Sequence, residues 1–549
     1  MSDRFEVVVV GGGGAGLCAA AAARAMGARV TLLCKAPAGL ANCTAYAGGG
    51  FTLGVEGVTP ERHRTLTWET GRFMSQPHLL DVFSAEAPRR VQELRQYGVG
   101  LDVRRGGARV AGHAPPSGPG GMGMTLPLVR WAREHGVQIR DRAVVTHLCL
   151  DDAGISGVEY VDLVSGEISH LVAGAVVVAT GGAGRLYGRT DNPVRTTGDG
   201  YALLYAAGLP LLDMEFVQFY PLGFAEEGLP TWFIPLNILD YTYLTNSAGE
   251  RFLDPQLRSW GISSGREANL FARDRCAVAV ARELEGGRQV FLHLEALTPH
   301  QWRDPLPADL RRYFPAHRDP ASGPVRVAPV QHYFSGGVAI NDRGETEIPG
   351  LLACGEVTGG VDGANRIGGN ALTNITVFGL RAGEAAAAHG RSRLPLVREP
   401  AGPVPGATGT WVARWCSQQT DISPAGVKRR LNAVADRLLG PLRSGAGLKE
   451  ALRAIAEISA DLPLMTVRNR RDLLDALEVR NLAVVAELVA RAALAREESR
   501  GVHFRSDFPH EDPAWQRHIC LRAPGVLPPC LCPCPPGASF WRTQPVYTG

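Results

Sequence analysis

The sequence predicts an α/β protein in which a Rossmann-like dinucleotide-binding domain carries an inserted α+β capping domain and is followed by a C-terminal helical domain. Three observations predict it. Residues 5–10 are a β-branched run that stops at Gly11 and gives way to an alanine-rich helical stretch. Two further apolar runs, 175–179 and 351–354, also end at glycine, which places Gly181, Gly182 and Gly355 at the carboxyl edge of a parallel sheet, where ligands bind in doubly wound folds. Beyond residue 410 the pattern becomes charged and Leu/Ala-rich with helical period.

Taken in order, the first strand, the alanine-rich helix closed by Gly27 and a second strand over residues 29–34 form a βαβ unit at the very start of the chain. Residues 1–213 are read as the first part of the dinucleotide-binding domain. From 214 to 330 the chain is rich in aromatics and prolines, with amphipathic stretches such as 272–284, and is read as a capping and substrate domain over the sheet edge. Residues 331–399 return to the first domain. The stretch 400–409 reads as a linker, and 428–442, 447–460 and 468–498 as helices of a domain spanning 410–515. Residues 516–549 read as a loose tail.

The glycines number 66 of 549, about 12% against a usual ~7%, without a collagen-like period, so they serve local geometry. Hydrophobic residues at 45% permit a large core, and a net charge of +3 without basic runs argues against a nucleic-acid surface. The eleven cysteines are odd in number and scattered, which suggests buried thiols of a reducing compartment and no disulfide framework. The apolar run at 7–23 is interrupted by glycines and lacks a cleavage site, so no membrane span or leader is expected and the protein is read as cytoplasmic.

Gly11, Gly13 and Gly16 satisfy G-x-G-x-x-G between a strand and a helix. The first glycine permits the turn, the second lets backbone approach a pyrophosphate, and the third allows close helix–strand contact, while the helix N-terminus favours the phosphates. The second strand ends in Cys34–Lys35 where a plain NAD site carries an acid, so Lys35 is either a partner of the ribose region or a solvated strand-end lysine.

Further motifs follow in a fixed order: residues 179–184 (A-T-G-G-A-G), 197–200 (T-G-D-G), 216–219 (F-V-Q-F), 332–338 (H-Y-F-S-G-G-V), 353–356 (A-C-G-E), 363–372 (G-A-N-R-I-G-G-N-A-L), 378–383 (F-G-L-R-A-G) and 496–509 (R-E-E-S-R-G-V-H-F-R-S-D-F-P). This series resembles the FAD-dependent flavoprotein family of succinate dehydrogenase, fumarate reductase and L-aspartate oxidase, over about residues 5–515. The resemblance implies FAD extended across the sheet edge, with Gly11, Gly13, Gly14, Ala15 and Gly16 at the pyrophosphate. Asp199, Cys34 and Lys35 would lie toward the adenosine half, Glu356 at a ribityl hydroxyl, and Ala371 and Leu372 would offer N–H groups to the flavin pyrimidine oxygen. In the segment 42–49, which includes Thr44, Gly48 and Gly49, Cys43 stands where succinate dehydrogenases carry the histidine that links FAD. Small residues there imply noncovalent FAD, with a cysteinyl link as the alternative.

By the same resemblance His332 and Arg366 bind a substrate carboxylate, and Arg273 acts as acid or base. The competing readings are a structural histidine, a salt-bridged loop arginine and one more arginine of an amphipathic helix. Two departures bear on the substrate. Tyr220 replaces a substrate-binding histidine and carries no charge. Residues 231–238 (T-W-F-I-P-L-N-I) lack the Arg and Glu of the family's Thr-Glu-x-x-Arg stretch, so one end of the site is more apolar than a succinate site.

The expected function is hydride exchange between flavin N5 and a saturated/unsaturated bond beside the carboxylate of a small substrate. It is most like that of a fumarate reductase or succinate dehydrogenase flavoprotein, with an L-aspartate oxidase-like enzyme or an electron-transfer subunit with a decayed dicarboxylate site as alternatives. The family's reductases pass electrons through an iron–sulfur subunit, so such a partner is expected, and any membrane association would come through partner subunits. Cys530, Cys532 and Cys534 lack the C-x₂-C spacing of clusters, and no metal is expected.

Overall fold

The computed structural model describes residues 4–111, 120–394, 407–523 and 530–533. At its centre the strand Arg4–Val10 runs parallel to Val30–Cys34 on one side and Ile168–Val178 on the other. Gln138–Asp141 extends the sheet beyond the former and Leu351–Ala353 beyond the latter, both in parallel. Gly154–Asp162 and Ala143–Asp151 add antiparallel strands beside the first half of Ile168–Val178. Continuous apolar strands suit a sheet covered on both faces, and Val7, Val8 and Val9 have no exposed surface.

The fingerprint helix Gly14–Ala25 packs against the long helix Asn370–Arg393 at unusually close range. A methyl on Gly383 would lie 2.2 Å from the Ala19 carbonyl oxygen, and one on Gly379 2.8 Å from that of Ala15. The two glycines of the 378–383 motif are therefore packing residues that bring the second helix's N-terminus to the sheet edge.

Over that edge sits an antiparallel four-stranded sheet, ordered Val217–Phe224, Val325–Phe334, Val290–Leu292, Leu244–Asn246, with the helix Arg273–Glu285 against it. It has a separate core that includes Leu222, Phe224, Ile234, Cys276, Val280 and Val327. The strand Val325–Phe334 carries the chain straight from this cap into the dinucleotide-binding body.

The C-terminal helices Ala407–Ser417, Pro424–Leu438, Gly445–Asp461 and Arg470–Ala495 follow. Ser423, Ser444 and Asn469 cap the last three through their side-chain oxygens, a common way of satisfying first-turn N–H groups. The second of the four stops four residues short of the predicted 442 because Gly440–Pro441 cannot continue it. The first begins within the stretch read as a linker; residues 400–406 of that linker lie outside the described residues.

One expectation is corrected. Residues 517–521, assigned to a loose tail, form the strand Arg517–Leu521, paired antiparallel with Leu211–Leu212 and with Cys530–Pro533. Ile519, Cys520 and Leu521 are buried, and the Ile519 N–H donates to Asp213. Five residues give little periodicity, and the partner strand lies some three hundred positions earlier, so no local pattern announces it. Residues 524–529 and 534–549, including Cys534, lie outside the described residues. Among the described residues no helix is long and apolar enough to cross a membrane, and no His/Cys/Asp/Glu group could hold a metal ion.

Candidate functional site

Two cavities run end to end along the carboxyl edge of the sheet and meet at Cys43, Thr44, Glu356 and Ile375. The first lies over the glycine turn, between Lys35, Asn42, Thr180, Gly181 and Asp199. The second, of about 510 Å³, opens beneath the cap between Gly48–Gly49, Ala371–Leu372, Tyr220, Arg273, His332 and Arg366. Of the residues predicted to bind cofactor, Gly11, Gly13, Gly14, Ala15, Lys35, Thr44, Gly48, Gly49, Asp199, Glu356, Ala371 and Leu372 line one or both. Gly16 and Cys34 line neither. A methyl on Gly16 would lie 1.9 Å from the Gly11 carbonyl oxygen, and the buried Cys34 thiol packs beneath Gly12, so both support the turn from behind.

The first cavity is shaped to take an anionic, extended ligand. Gly11 has φ +116°, a conformation that favours glycine, and a methyl there would meet the Ala179 carbonyl oxygen at 2.3 Å. Gly13 has an ordinary φ of −83°, and a methyl on it would find only loose contacts of 3.6 Å or more with Asn42, so the protein itself does not need glycine there. What the missing side chain leaves is a cradle open to the cavity; Gly181 and Gly48 likewise face open space. Gly13 is the N-cap of the helix without a side-chain acceptor, and the buried Thr180 hydroxyl has no protein partner. Unpartnered donors around a glycine cradle at a helix N-terminus suit a pyrophosphate, so these residues fit a dinucleotide. At the far end Gly369, φ +88°, starts the helix Asn370–Arg393, again without a side-chain cap, and aims its first turn at the second cavity.

Lys35 is not a solvated strand-end lysine: it lies at the first cavity beside Asp199, with its Nζ 2.6 Å from Asp199 Oδ2, 2.6 Å from Thr197 Oγ1 and 3.0 Å from Glu478 Oε1. Burial disfavours the charge, but the two carboxylates outweigh it and raise the Lys35 pKa. Burial would raise the Asp199 pKa, but the Lys35 ammonium outweighs it and holds Asp199 low in turn, with help from Asn481 Nδ2 at 3.0 Å. Glu478 and Asn481 come from the C-terminal helix Arg470–Ala495, and nothing in their spacing announces a role beside a glycine turn 460 residues away.

Glu356 stands where the two cavities join, buried, accepting from the Phe334 N–H at 3.1 Å, and burial pushes its carboxyl up to about 7. Cys43 opens the short helix Cys43–Tyr46 capped by Asn42. Its thiol lies 3.4 Å from Asn192 Oδ1, and burial raises its pKa far above the ordinary thiol value.

The cap and the body converge on the second cavity. Gln218 pairs with Tyr333 and Phe219 with Gln331, so His332 is the unpaired extra residue of a β-bulge, a device that re-aims a side chain. Its Nδ1 lies 2.7 Å from Asp191 Oδ2, a partner that no sequence pattern announces; burial lowers the His332 pKa, and the nearby carboxylate opposes that. Arg366 lies over the Tyr333 ring at 4.5 Å and donates to the Ile367 carbonyl and to Gln218 Oε1. Arg273 begins its helix where Ala272 breaks the preceding one, lies 4.7 Å over the Tyr220 ring and donates back to the Asn269 carbonyl at 3.1 Å. Both arginines are buried, neither forms an ion pair among the described residues, and the Nε of each has no partner. Burial and the proximity of Arg366 lower the Arg273 pKa.

Tyr220 donates its hydroxyl to Asn269 Oδ1 and packs, tilted, at 4.8 Å against Phe233, which meets His332 edge-on at 5.4 Å. The departing segment 231–238 is held in place by backbone bonds to the strand Val217–Phe224: Ile234 N to Leu222 O and Phe224 N to Trp232 O. That pairing buries Ile234 in the cap core and leaves Phe233 and Trp232 on the cavity wall.

Residues 6–372 match the family model of an FAD binding domain, and 428–525 that of the fumarate reductase flavoprotein C-term. The chain is 32% identical over 514 residues to one subunit of the fumarate reductase (CoM/CoB) of Methanothermobacter marburgensis, covering 87% of this chain and 90% of that one. It is 32% identical over 547 residues to the L-aspartate oxidase of Streptomyces coelicolor, covering 94% and 91%. Among solved structures, Mycobacterium smegmatis Sdh1 in complex with UQ1 superposes with a TM-score of 0.84 at 30% identity, over 97% of this chain and 94% of the other. The glycine cradle, the two converging helix N-termini and these similarities have one source: the chain belongs to the FAD-dependent flavoprotein family of succinate dehydrogenase, fumarate reductase and L-aspartate oxidase, and is an FAD-dependent oxidoreductase.

Proposed function

We propose that this protein exchanges an electron pair, as hydride, between FAD and a saturated/unsaturated bond beside a substrate carboxylate. The observation that carries the reading is the pair of buried arginines, Arg366 and Arg273, which line the cavity beside His332, each with an unpartnered Nε. Two buried cations without an ion-pair partner are costly unless something anionic visits them, and a planar carboxylate matches a guanidinium. A site that had decayed into an electron-transfer relic would have no reason to keep them in that state.

FAD supplies the hydride chemistry; the chain's own residues do the rest. Arg366 and His332 bind the carboxylate, with Asp191 holding His332 Nδ1 and so fixing which ring nitrogen meets the ligand. Arg273 is the proton-exchanging group at the neighbouring carbon, a role its lowered pKa favours. Ala371 and Leu372, in the uncapped first turn of their helix, stabilise the charge that reduction places on the flavin pyrimidine. FAD is held noncovalently: the thiol of Cys43 is kept protonated by burial and is engaged with Asn192, which makes it a poor nucleophile for attachment. Electrons enter or leave through a separate iron–sulfur partner, in line with the family's reductases.

An anaerobic visible titration of the holoenzyme tests this. Bleaching by succinate or L-aspartate, or reoxidation of the reduced enzyme by fumarate or a related enoate, supports carboxylate chemistry and separates the succinate-like reading from the aspartate-like one. In Arg366→Ala, turnover should be lost with flavin retained; full activity in that variant would show that the carboxylate binds elsewhere.

A further inference from the structure

The second cavity has two ends of opposite chemistry. Its inner end is cationic, formed by Arg366, Arg273 and His332. Its other wall is aromatic and continuous: Tyr220 packs on Phe233 at 4.8 Å, Phe233 on Trp232 at 5.6 Å, and Trp232 approaches Tyr46 at 6.5 Å. Tyr313 of the cap stacks behind Trp232 at 6.1 Å, and Ile234 anchors the segment in the cap core, so the wall is built in rather than draped over the opening. Tyr220 offers no free hydrogen to a ligand, because its hydroxyl is donated to Asn269.

Among the described residues lining the cavity, the remaining cation is Arg109, whose Nη2 donates to the Gly48 carbonyl and whose Nε has no partner. The wall between it and the inner cluster, Tyr220, Phe233 and Trp232, supplies no charge for a second carboxylate. With Arg273 kept for proton exchange, a dicarboxylate seated on Arg366 and His332 and extended along this wall would set its other anionic group against aromatic rings, desolvated and unpaired. An apolar flat group in the same place would instead gain both area burial and ring stacking.

We infer that the substrate is a monocarboxylate carrying a flat apolar arm, such as an aryl group, on the carbon distal to the carboxylate. The inference rests on the carboxylate-directed reading above and specifies its substrate class. In the reductive direction a 3-arylpropenoate takes up a hydride from reduced FAD at the arm-bearing carbon and a proton at the carbon beside the carboxylate. It becomes the 3-arylpropanoate, and a low-potential one-electron donor returns two electrons to FAD.

The test uses the FAD-loaded enzyme, reduced anaerobically with reduced viologen dye, and compares trans-3-phenylpropenoate, but-2-enoate and fumarate as oxidants. Binding is read independently from the shift in the oxidised flavin spectrum on adding 3-phenylpropanoate or succinate. The expected result is a kcat/KM for phenylpropenoate at least tenfold above that for fumarate, and tighter binding of phenylpropanoate than of succinate. Phe233→Ala and Trp232→Ala should each narrow that ratio severalfold, whereas Trp232→Arg should shift it toward fumarate. Turnover of fumarate or but-2-enoate with phenylpropenoate poorer than either would overturn the inference and leave the carboxylate reading intact. Failure of every carboxylate both to reoxidise the flavin and to shift its spectrum would overturn the two together.

Discussion

Replacing Lys35 by methionine keeps the length of the side chain and removes a charge that joins the end of the second strand to the C-terminal helix. In the structure this ammonium bridges Asp199 and Glu478, the latter with 1% of its side chain exposed. Removing one member of a buried ion pair typically costs about 3–5 kcal/mol, because the carboxylates stay behind uncompensated. Here Glu478 keeps Arg195 at 3.0 Å and Asp199 keeps Thr197 and Asn481, so the loss should fall near the lower end, about 3 kcal/mol. A chain of several domains does not unfold in two states, so the assay is amide hydrogen exchange in the helix Asp199–Ala206. About 3 kcal/mol corresponds to exchange faster by roughly 150-fold where local opening governs it. The double variant Lys35→Met/Asp199→Asn removes one of the stranded charges and should recover part of the loss, with a coupling of at least about 1.5 kcal/mol. Exchange in Lys35→Met within threefold of the parent would refute the argument, and would mean that Arg195 and Lys428, 3.9 Å from Glu478, already neutralise the cluster.

Gly13→Ala should fold normally and lose FAD affinity by at least tenfold, measured by flavin retention on dialysis, since its methyl meets only open cradle; Gly383→Ala, whose methyl would lie 2.2 Å from a backbone oxygen, should instead lower the thermal midpoint of the apoprotein. Burial pushes the Glu356 carboxyl up to about 7 in the fold against about 4.3 unfolded, so its ionisation opposes folding: the penalty is absent at low pH, grows as pH rises through that interval and reaches about 4 kcal/mol above it. Glu356→Gln should therefore stabilise the apoprotein at pH 8 and change it little at pH 4.5, as read by thermal melts at both values. Asp191→Asn removes the carboxylate that supports His332 protonation, so the alkaline-side inflection of the kcat/KM profile, where His332 loses the proton it offers the substrate carboxylate, should move to lower pH, with protein stability much less affected.

What could be read from the chain and what could not divides along the range of the interactions. The glycine turn was legible because strand, turn and helix are consecutive, and the structure gives Gly11 and Gly16 the steric roles that spacing implies. The helices of the C-terminal domain were legible from their period and Leu/Ala content. Lys35 was not, because its partners Asp199 and Glu478 are 164 and 443 positions away, and a strand-end lysine carries no sign of a buried destination. Asp191 behind His332 and the short strand Arg517–Leu521 were missed for the same reason. Long-range pairing of polar groups leaves no period to detect.

The departures from the family pattern turn out to be the most informative positions in the site. A lost Arg and Glu in the 231–238 segment would mean little if that segment had become loose, since a floppy loop specifies nothing. It has not: two backbone hydrogen bonds extend the cap sheet through it, and Ile234 locks it from behind. On the proposed reading, one rigid recognition surface has been replaced by another of opposite polarity while the carboxylate end is kept, with two buried arginines whose Nε groups meet no protein partner. Buried charge at one end and built-in aromatic packing at the other argue for a site retuned to a different arm on the same reacting group rather than a decayed one, because unpartnered buried cations are costly to keep without an anionic ligand.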